Sequence, residues 1–177
     1  LADIFLVAPA SADVIGKIAN GIADDMLTTT IMACKCPKLI SPAMNTNMFT
    51  NPIVQDNLKK LEHYGYEIIQ PDSGYLACGD TGAGKMPSEQ VLLNYILRTI
   101  AKDKDMAGIK LTVTAGPTRE KLDPVRFLSN NSTGKMGYAI AKMAMLRGAD
   151  VTLISGKVSL EPVPFVKMVD IVSAEDM

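Results

Sequence analysis

Parallel α/β architecture is what this sequence predicts, and three observations carry it. Short apolar runs, such as Ile4–Ala8 and Val151–Ile154, alternate with stripes of apolar residues at helical spacing. Caps and breakers separate them, with Asn51-Pro52 opening one helix and Gly148 closing another. Residues of chemical character cluster just after the strand-like runs, where open parallel sheets hold their ligands.

In chain order, residues 4–8 read as a buried strand. Val14, Ile15, Ile18, Ile22 and Met26 then give one helix an apolar stripe. Lys38 to Ala43 is a short strand that ends in Pro42. Asn51 and Pro52 supply a cap and a first-turn proline to a helix that points Ile53, Leu58 and Leu61 inward and ends near Gly65. Tyr66 to Gln70 is a further strand, followed by a glycine-rich loop. Ser88 caps a helix bearing Leu92, Tyr95, Ile96 and Ile100. After the polar segment Lys102–Asp105 a second α/β stretch begins with the strand Lys110–Ala115. A polar loop leads to a helix capped by Ser132 or Thr133 and running through Leu146, and Val151 to Ile154 is the next strand. Ser173 and Asp176 form an S-x-x-D pattern of the kind that opens a helix. The chain also starts without Met directly before a strand, so both ends read as cuts through a longer polypeptide.

With 177 residues, 47% of them hydrophobic, the chain can fill one large core or two small ones. A formal net charge of −1 and no basic cluster on any helix give no footprint for nucleic acid. No apolar run approaches the length of a membrane span, and the expected setting is soluble and cytoplasmic. Three cysteines, Cys34, Cys36 and Cys78, lack paired zinc spacing, so no metal ligands are assigned.

The densest chemistry lies in Gly74–Met86, where four glycines, one thiol and one carboxylate share thirteen residues. Glycine there serves conformations that a Cβ forbids, or lets backbone approach a ligand. Two other clusters follow strands. In Pro9-Ala10-Ser11-Ala12-Asp13 the small residues suit a phosphate or a flat cofactor at a helix N-terminus, while Ser11 or Asp13 also reads as a plain N-cap. Pro42–Met48 carries two Met and two Asn; Met there is ordinary core filler, and Asn45 offers donor and acceptor groups to a carboxylate or amide. His63, the only histidine, reads as a surface or helix-end residue.

Together these three clusters resemble the flavin-dependent cysteine decarboxylases of coenzyme A biosynthesis. Residues 9–13 are similar to that family's PASAN-type motif, with Asp13 in place of Asn, and residues 42–49 to its P-x-M-N-x-x-M-W motif, with Phe49 in place of Trp. Residues 75–86 are similar to its substrate-recognition clamp, including A-C-G-D. The resemblance implies a flavodoxin-like or Rossmann-like parallel sheet and FMN as cofactor, with Ala10, Ser11 and Ala12 at the cofactor. It implies Asn45 as the residue that orients the substrate carboxylate and Cys78 as the proton donor, with Met44, Ala77, Gly79 and Asp80 binding substrate. In that family FMN oxidises the cysteinyl thiol of phosphopantothenoylcysteine to a thioaldehyde, carbon dioxide leaves, and the enethiolate is reduced and protonated. A thiol of ordinary acidity, with pKa near ~8.5, is protonated at neutral pH and suits the last step. The family's catalytic histidine is expected upstream of Leu1.

The second stretch carries G-P-T-R-E at 116–120, D-P-V-R at 123–126 and S-N-N-S-T-G-K-M-G at 129–137. Gly134 and Gly137 allow backbone to approach either a phosphate or the sheet. Ser132 stands where a dinucleotide fingerprint needs its first glycine, which argues against an NAD-binding oxidoreductase. These motifs resemble the opening of phosphopantothenate–cysteine ligase, a Rossmann-like α/β domain that uses CTP and Mg²⁺ to activate 4′-phosphopantothenate for attack by cysteine. The resemblance implies that Arg126 and Asn130 bind or polarise the acyl intermediate, and places the nucleotide-clamping lysine past Met177. In this order the two resemblances imply a bifunctional coenzyme A biosynthesis family, with residues 1–104 the later part of the decarboxylase and 105–177 the start of the ligase. They also imply small-molecule substrates and a homo-oligomer, with no nucleic-acid or membrane partner. A non-catalytic flavodoxin-like regulatory module is the alternative, and joint retention of Asn45 and Cys78 weighs against it.

Overall fold

The computed structural model describes residues 2–75 and 81–177. Two compact units are present, Leu1–Ile100 and Ala101–Met177.

In the first unit, β1 (Phe5–Ala10) leads into α1 (Ala12–Ala19), followed by α2 (Met26–Ala33) and β2 (Lys38–Pro42). A short α3 (Thr46–Phe49) precedes α4 (Pro52–His63) and β3 (Glu67–Ile68). The strands form a parallel sheet of order β1-β2-β3. Period-two alternation sends their side chains to two different cores. Val7, Ile40 and Ile68 pack with Ile15, Ile31, Leu58 and Leu61 on the face covered by α1, α2 and α4. Leu39 and Ile69 pack with Leu92 of α5 (Glu89–Ile100) on the other face. Burial on both sides explains why these strands read as continuous apolar runs.

Several expectations change. The stripe from Val14 does not continue to Met26, because Gly21 sits at φ 68° and ends the first helix; α2 then starts from a capping box at Asp25 and Thr28. Met26 is 83% exposed. In α4, Asn51 and Pro52 open the helix as expected, and Leu58 and Leu61 are buried, but Ile53 points outward at 71% exposure. The glycine-rich segment is not wholly a loop: β4 (Asp72–Tyr75) and β5 (Thr81–Lys85) pair antiparallel, with Tyr75 opposite Thr81. Residues 76–80 lie outside the described residues.

The second unit has β6 (Lys110–Ala115), a hairpin of β7 (Arg119–Lys121) and β8 (Phe127–Ser129), α6 (Lys135–Leu146), β9 (Asp150–Ser155) and β10 (Lys167–Asp170). Its parallel sheet has the order β10-β9-β6. Ala141 and Ala144 let α6 lie close on Val113, Val151 and Leu153. The polar loop expected after Gly116 is largely the β7–β8 hairpin. Neither Ser132 nor Thr133 caps α6: its N-cap is Gly134, in the left-handed conformation at φ 74°, with no side-chain cap bond. At 173–176 the Asp176 carboxylate accepts from the Val172 and Ser173 N–H groups, the second of which is the backbone bond an S-x-x-D pattern makes.

Candidate functional site

The carboxyl ends of β1 and β2 lie side by side. Ala10 pairs with Pro42, and the Ala43 N–H donates to the Ala10 carbonyl at 3.0 Å. The turn at residues 11–13 and the segment at 43–48 therefore emerge together. Ala10 is fully buried, so its methyl belongs to the core while its backbone edges the turn. Ser11 is the N-cap of α1 and accepts from the Val14 N–H at 3.3 Å. Ser11 is exposed, beside the half-buried Ala12. Asp13 is turned to Lys17 (3.4 Å), which also meets Asp24 (3.2 Å). Hydrogen bonds from Lys17 to Asp24, then Asp13, raise the lysine pKa and keep it charged.

Asn45 caps α3, its Oδ1 accepting from the Asn47 N–H at 2.8 Å. Met44 packs its side chain on the core, and its N–H donates to the Gly84 carbonyl at 3.0 Å. That bond ties the β4–β5 hairpin to the end of β2. The structure thus joins Ala10, Ser11, Ala12, Met44 and Asn45 in one neighbourhood. Cys78, Ala77, Gly79 and Asp80, the proposed proton donor and its neighbours, lie outside the described residues; the strands that flank them are the hairpin just described. Thr46 also meets this junction, against Gly82, although its residue type gave no sign of it; Gly82 and Gly84 belong to the glycine-rich run already singled out. The signal was present in Thr81-Gly82-Ala83-Gly84-Lys85, where glycine recurs at the period of a strand. His63 is exposed at the end of α4, edge-on to Tyr64.

In the second unit an open recess of about 330 Å³ lies between the end of β6 and the start of α6, lined in part by Gly116, Ser132, Gly134 and Gly137. A Cβ on Gly137 would stand 2.6 Å from Ala115 Cβ and 2.9 Å from the Thr114 carbonyl oxygen, so this glycine serves helix–sheet packing. Arg126 and Asn130 are not brought together. Arg126 lies in the hairpin turn, where its N–H and guanidinium both bond Asp123 (2.6 and 2.5 Å). Asn130 follows β8 at the other end of that strand, roughly 13 Å along the chain at strand rise. Its Oδ1 accepts from the Ser132 N–H at 2.9 Å. The Arg126 N–H, then its side chain and the Val125 N–H, hold the Asp123 carboxyl below its ordinary range. Cys34 and Cys36 are half-buried free thiols, and among the described residues no three His, Cys, Asp or Glu side chains converge to hold a metal. No helix among them is long and apolar enough to cross a membrane.

Comparison with known proteins bears on this geometry. Residues 1–101 match the family model described as Flavoprotein, and residues 106–177 match that of the DNA/pantothenate metabolism flavoprotein C-terminal domain. The chain is 49% identical over 179 residues to the coenzyme A biosynthesis bifunctional protein CoaBC of Bacillus subtilis (strain 168), covering 99% of this chain and 44% of that protein. It is 46% identical over 176 residues to the protein of the same name from Escherichia coli (strain K12), covering 99% and 43%. The chain thus spans less than half the length of these curated relatives. Among solved structures, a Cys-to-Ser variant of PPC decarboxylase complexed with pantothenoylaminoethenethiol matches with a TM-score of 0.53 at 38% identity, over 54% of this chain and 53% of that one. The FMN binding protein AtHal3 matches with a TM-score of 0.50 at 38% identity, over 57% and 56%. These likenesses support a flavodoxin-like, parallel-sheet α/β fold of the decarboxylase kind. With its flavoprotein-type unit filling residues 1–101, the chain belongs to the flavoprotein family.

Proposed function

We propose that the first unit performs the FMN-dependent decarboxylation of 4′-phosphopantothenoylcysteine to 4′-phosphopantetheine in coenzyme A biosynthesis, and that the second opens a phosphopantothenate–cysteine ligase. One observation supports the first part above others: the Pro9–Asp13 turn, the Pro42–Met48 segment and the glycine-rich hairpin meet at the ends of adjacent strands. Residues 10–12 fit a flat ring. No side chain there exceeds a hydroxymethyl group, and the first-turn N–H groups of α1 open toward the same end. The Ser11 oxygen already accepts from Val14, which leaves its proton as a donor toward a ring carbonyl. FMN, when bound, supplies the two-electron acceptor for the cysteinyl thiol and returns those electrons after carbon dioxide has left. Asn45 is held at its Oδ1 by the Asn47 N–H, which sets the plane of an amide whose NH₂ end is the complement of a carboxylate. Cys78 gives a proton to the product in the reductive half.

In the second unit the recess beside α6 and the neighbouring Asn130 support a site for an anionic acyl intermediate, with CTP and Mg²⁺ as the nucleotide substrate of that half. Arg126 belongs to the same proposal, acting from the hairpin turn rather than beside Asn130. Soluble, small-molecule metabolism in the cytoplasm by a homo-oligomer completes the reading.

Three variants of the complete protein test it in a paired assay of carbon dioxide release and amide formation. Asn45→Ala should stop the first oxidation, seen as loss of flavin bleaching on rapid mixing with substrate. Cys78→Ser should bleach the flavin and release carbon dioxide but fail to yield 4′-phosphopantetheine, because a hydroxyl is a far weaker acid than a thiol. Asn130→Asp should slow CTP-dependent amide formation by orders of magnitude and leave carbon dioxide release intact. Unchanged turnover in Asn45→Ala or Cys78→Ser would remove that residue from the first site; unchanged amide formation in Asn130→Asp would end the ligase assignment of that residue.

A further inference from the structure

We infer that Thr46, with Gly82 and Gly84 facing it, is a positioning residue that sets Asn45 through direct contact with the β4–β5 hairpin. This rests on the reading of Asn45 as the residue that orients the substrate carboxylate. The two residues that flank Asn45 are both pressed by β5. On one side the Met44 N–H donates to the Gly84 carbonyl at 3.0 Å. Gly84 has φ +127°, a conformation that side chains rarely adopt, and a Cβ there would overlap the Met44 carbonyl oxygen. On the other side, a Cβ on Gly82 would stand 2.5 Å from Thr46 Oγ1, 3.0 Å from its Cγ2 and 3.3 Å from its Cβ. The hairpin backbone therefore lies directly on the Thr46 side chain. Thr46 Oγ1 is buried with no hydrogen-bond partner among the described residues, so this side chain acts by shape. Asn45 itself caps the four-residue helix that Thr46 begins, and such a short helix has little rigidity of its own. The hairpin supplies it.

The two glycines make different predictions because their obstacles differ. At Gly82 the obstacle is a side chain that can be cut back; at Gly84 it is backbone. Gly82→Ala forces Thr46 away by a few tenths of an ångström or more and carries Asn45 with it. A misplacement approaching 1 Å costs up to about 100-fold in rate, so kcat/KM for 4′-phosphopantothenoylcysteine should fall about 10–100-fold. Adding Thr46→Ala removes Oγ1 and Cγ2, the two closest obstacles, keeps Thr46 Cβ at 3.3 Å, and should restore kcat/KM to within about threefold of Thr46→Ala alone, the same principle then operating in reverse. Gly84→Ala should lose as much and gain nothing from Thr46→Ala.

The test is steady-state decarboxylation by the complete protein with FMN content measured for each variant, together with hydrogen exchange of peptides covering residues 43–50. Exchange at the Met44 amide should quicken in Gly82→Ala and return toward the wild-type rate in the double variant. Restoration in the double variant of Gly82 but not of Gly84 supports the inference, even if Gly82→Ala alone loses FMN. Unaltered kinetics and exchange in Gly82→Ala, or no restoration by Thr46→Ala, overturns it. An inactive wild-type protein with FMN bound would instead defeat the decarboxylase reading, while the exchange data would still judge the contact.

Discussion

Replacing Gly137 by Ala and replacing Gly16 by Ala are chemically identical changes in two helices, and the structure gives them opposite signs. Alanine improves helix propensity by up to about 1 kcal/mol over glycine. At Gly16 in α1 the new Cβ meets only Asn57 Nδ2, at 3.8 Å, an ordinary van der Waals contact. The gain should survive, at about 0.5–1 kcal/mol. At Gly137 in α6 the new Cβ would stand 2.6 Å from Ala115 Cβ and 2.9 Å from the Thr114 carbonyl oxygen. Neither neighbour can yield cheaply, because Thr114 and Ala115 are paired with Ile154 and Ser155 in the sheet. Overpacking of this kind costs about 1–3 kcal/mol, which exceeds the propensity gain and leaves a net loss of about 1–2 kcal/mol. Two units need not unfold together, so the assay is native-state hydrogen exchange read by helix rather than one global transition. Amides of α6 should exchange roughly tenfold faster in Gly137→Ala, and those of α1 a few-fold slower in Gly16→Ala. If Gly137→Ala slowed exchange in α6 as Gly16→Ala does in α1, the close approach of helix to sheet would be refuted.

Ser41 is wholly buried in β2 with a hydroxyl that finds no partner among the described residues, so Ser41→Ala should be neutral or stabilising, by up to about 1–3 kcal/mol, in urea unfolding of the first unit. A loss above ~1 kcal/mol would reveal a hydrogen bond to that oxygen. Asp123 has its folded pKa depressed, chiefly by the Arg126 N–H and then by the Arg126 side chain and the Val125 N–H. Its contribution is therefore present above the ordinary carboxylate value of 3.8 and is lost as pH falls through the lower folded value. Acidification through that window should speed hydrogen exchange in the β7–β8 hairpin, and Asp123→Asn should remove that pH dependence; an acid-insensitive hairpin would contradict the assignment.

What the sequence determined by itself was whatever depends on neighbours along the chain. The strand Lys110–Ala115 was legible from its run of strand-forming residues, the start of α4 from Asn51 and Pro52, and the end of α6 from Gly148, which adopts φ 93°. Three motifs following strands were legible as a group, because parallel α/β folds send strand ends to one edge. Tertiary structure decided what depends on residues far apart in sequence. The stripe through Ile22 and Met26 failed because Gly21, at φ 68°, redirected the chain before either residue, and Ile53 kept the helical period but fell on the face away from the core. Both hairpins were hidden, since glycine-rich and charged strands lack the apolar alternation that marks a strand with one buried face. Arg126 and Asn130 are four positions apart in sequence, yet an extended strand holds them at opposite ends of β8. Whether Gly82 serves a turn, a ligand or a packed side chain cannot be read from a string of letters. Only the fold puts Thr46, thirty-six positions earlier, against its Cα, because a contact is a property of two distant segments and local propensity describes one.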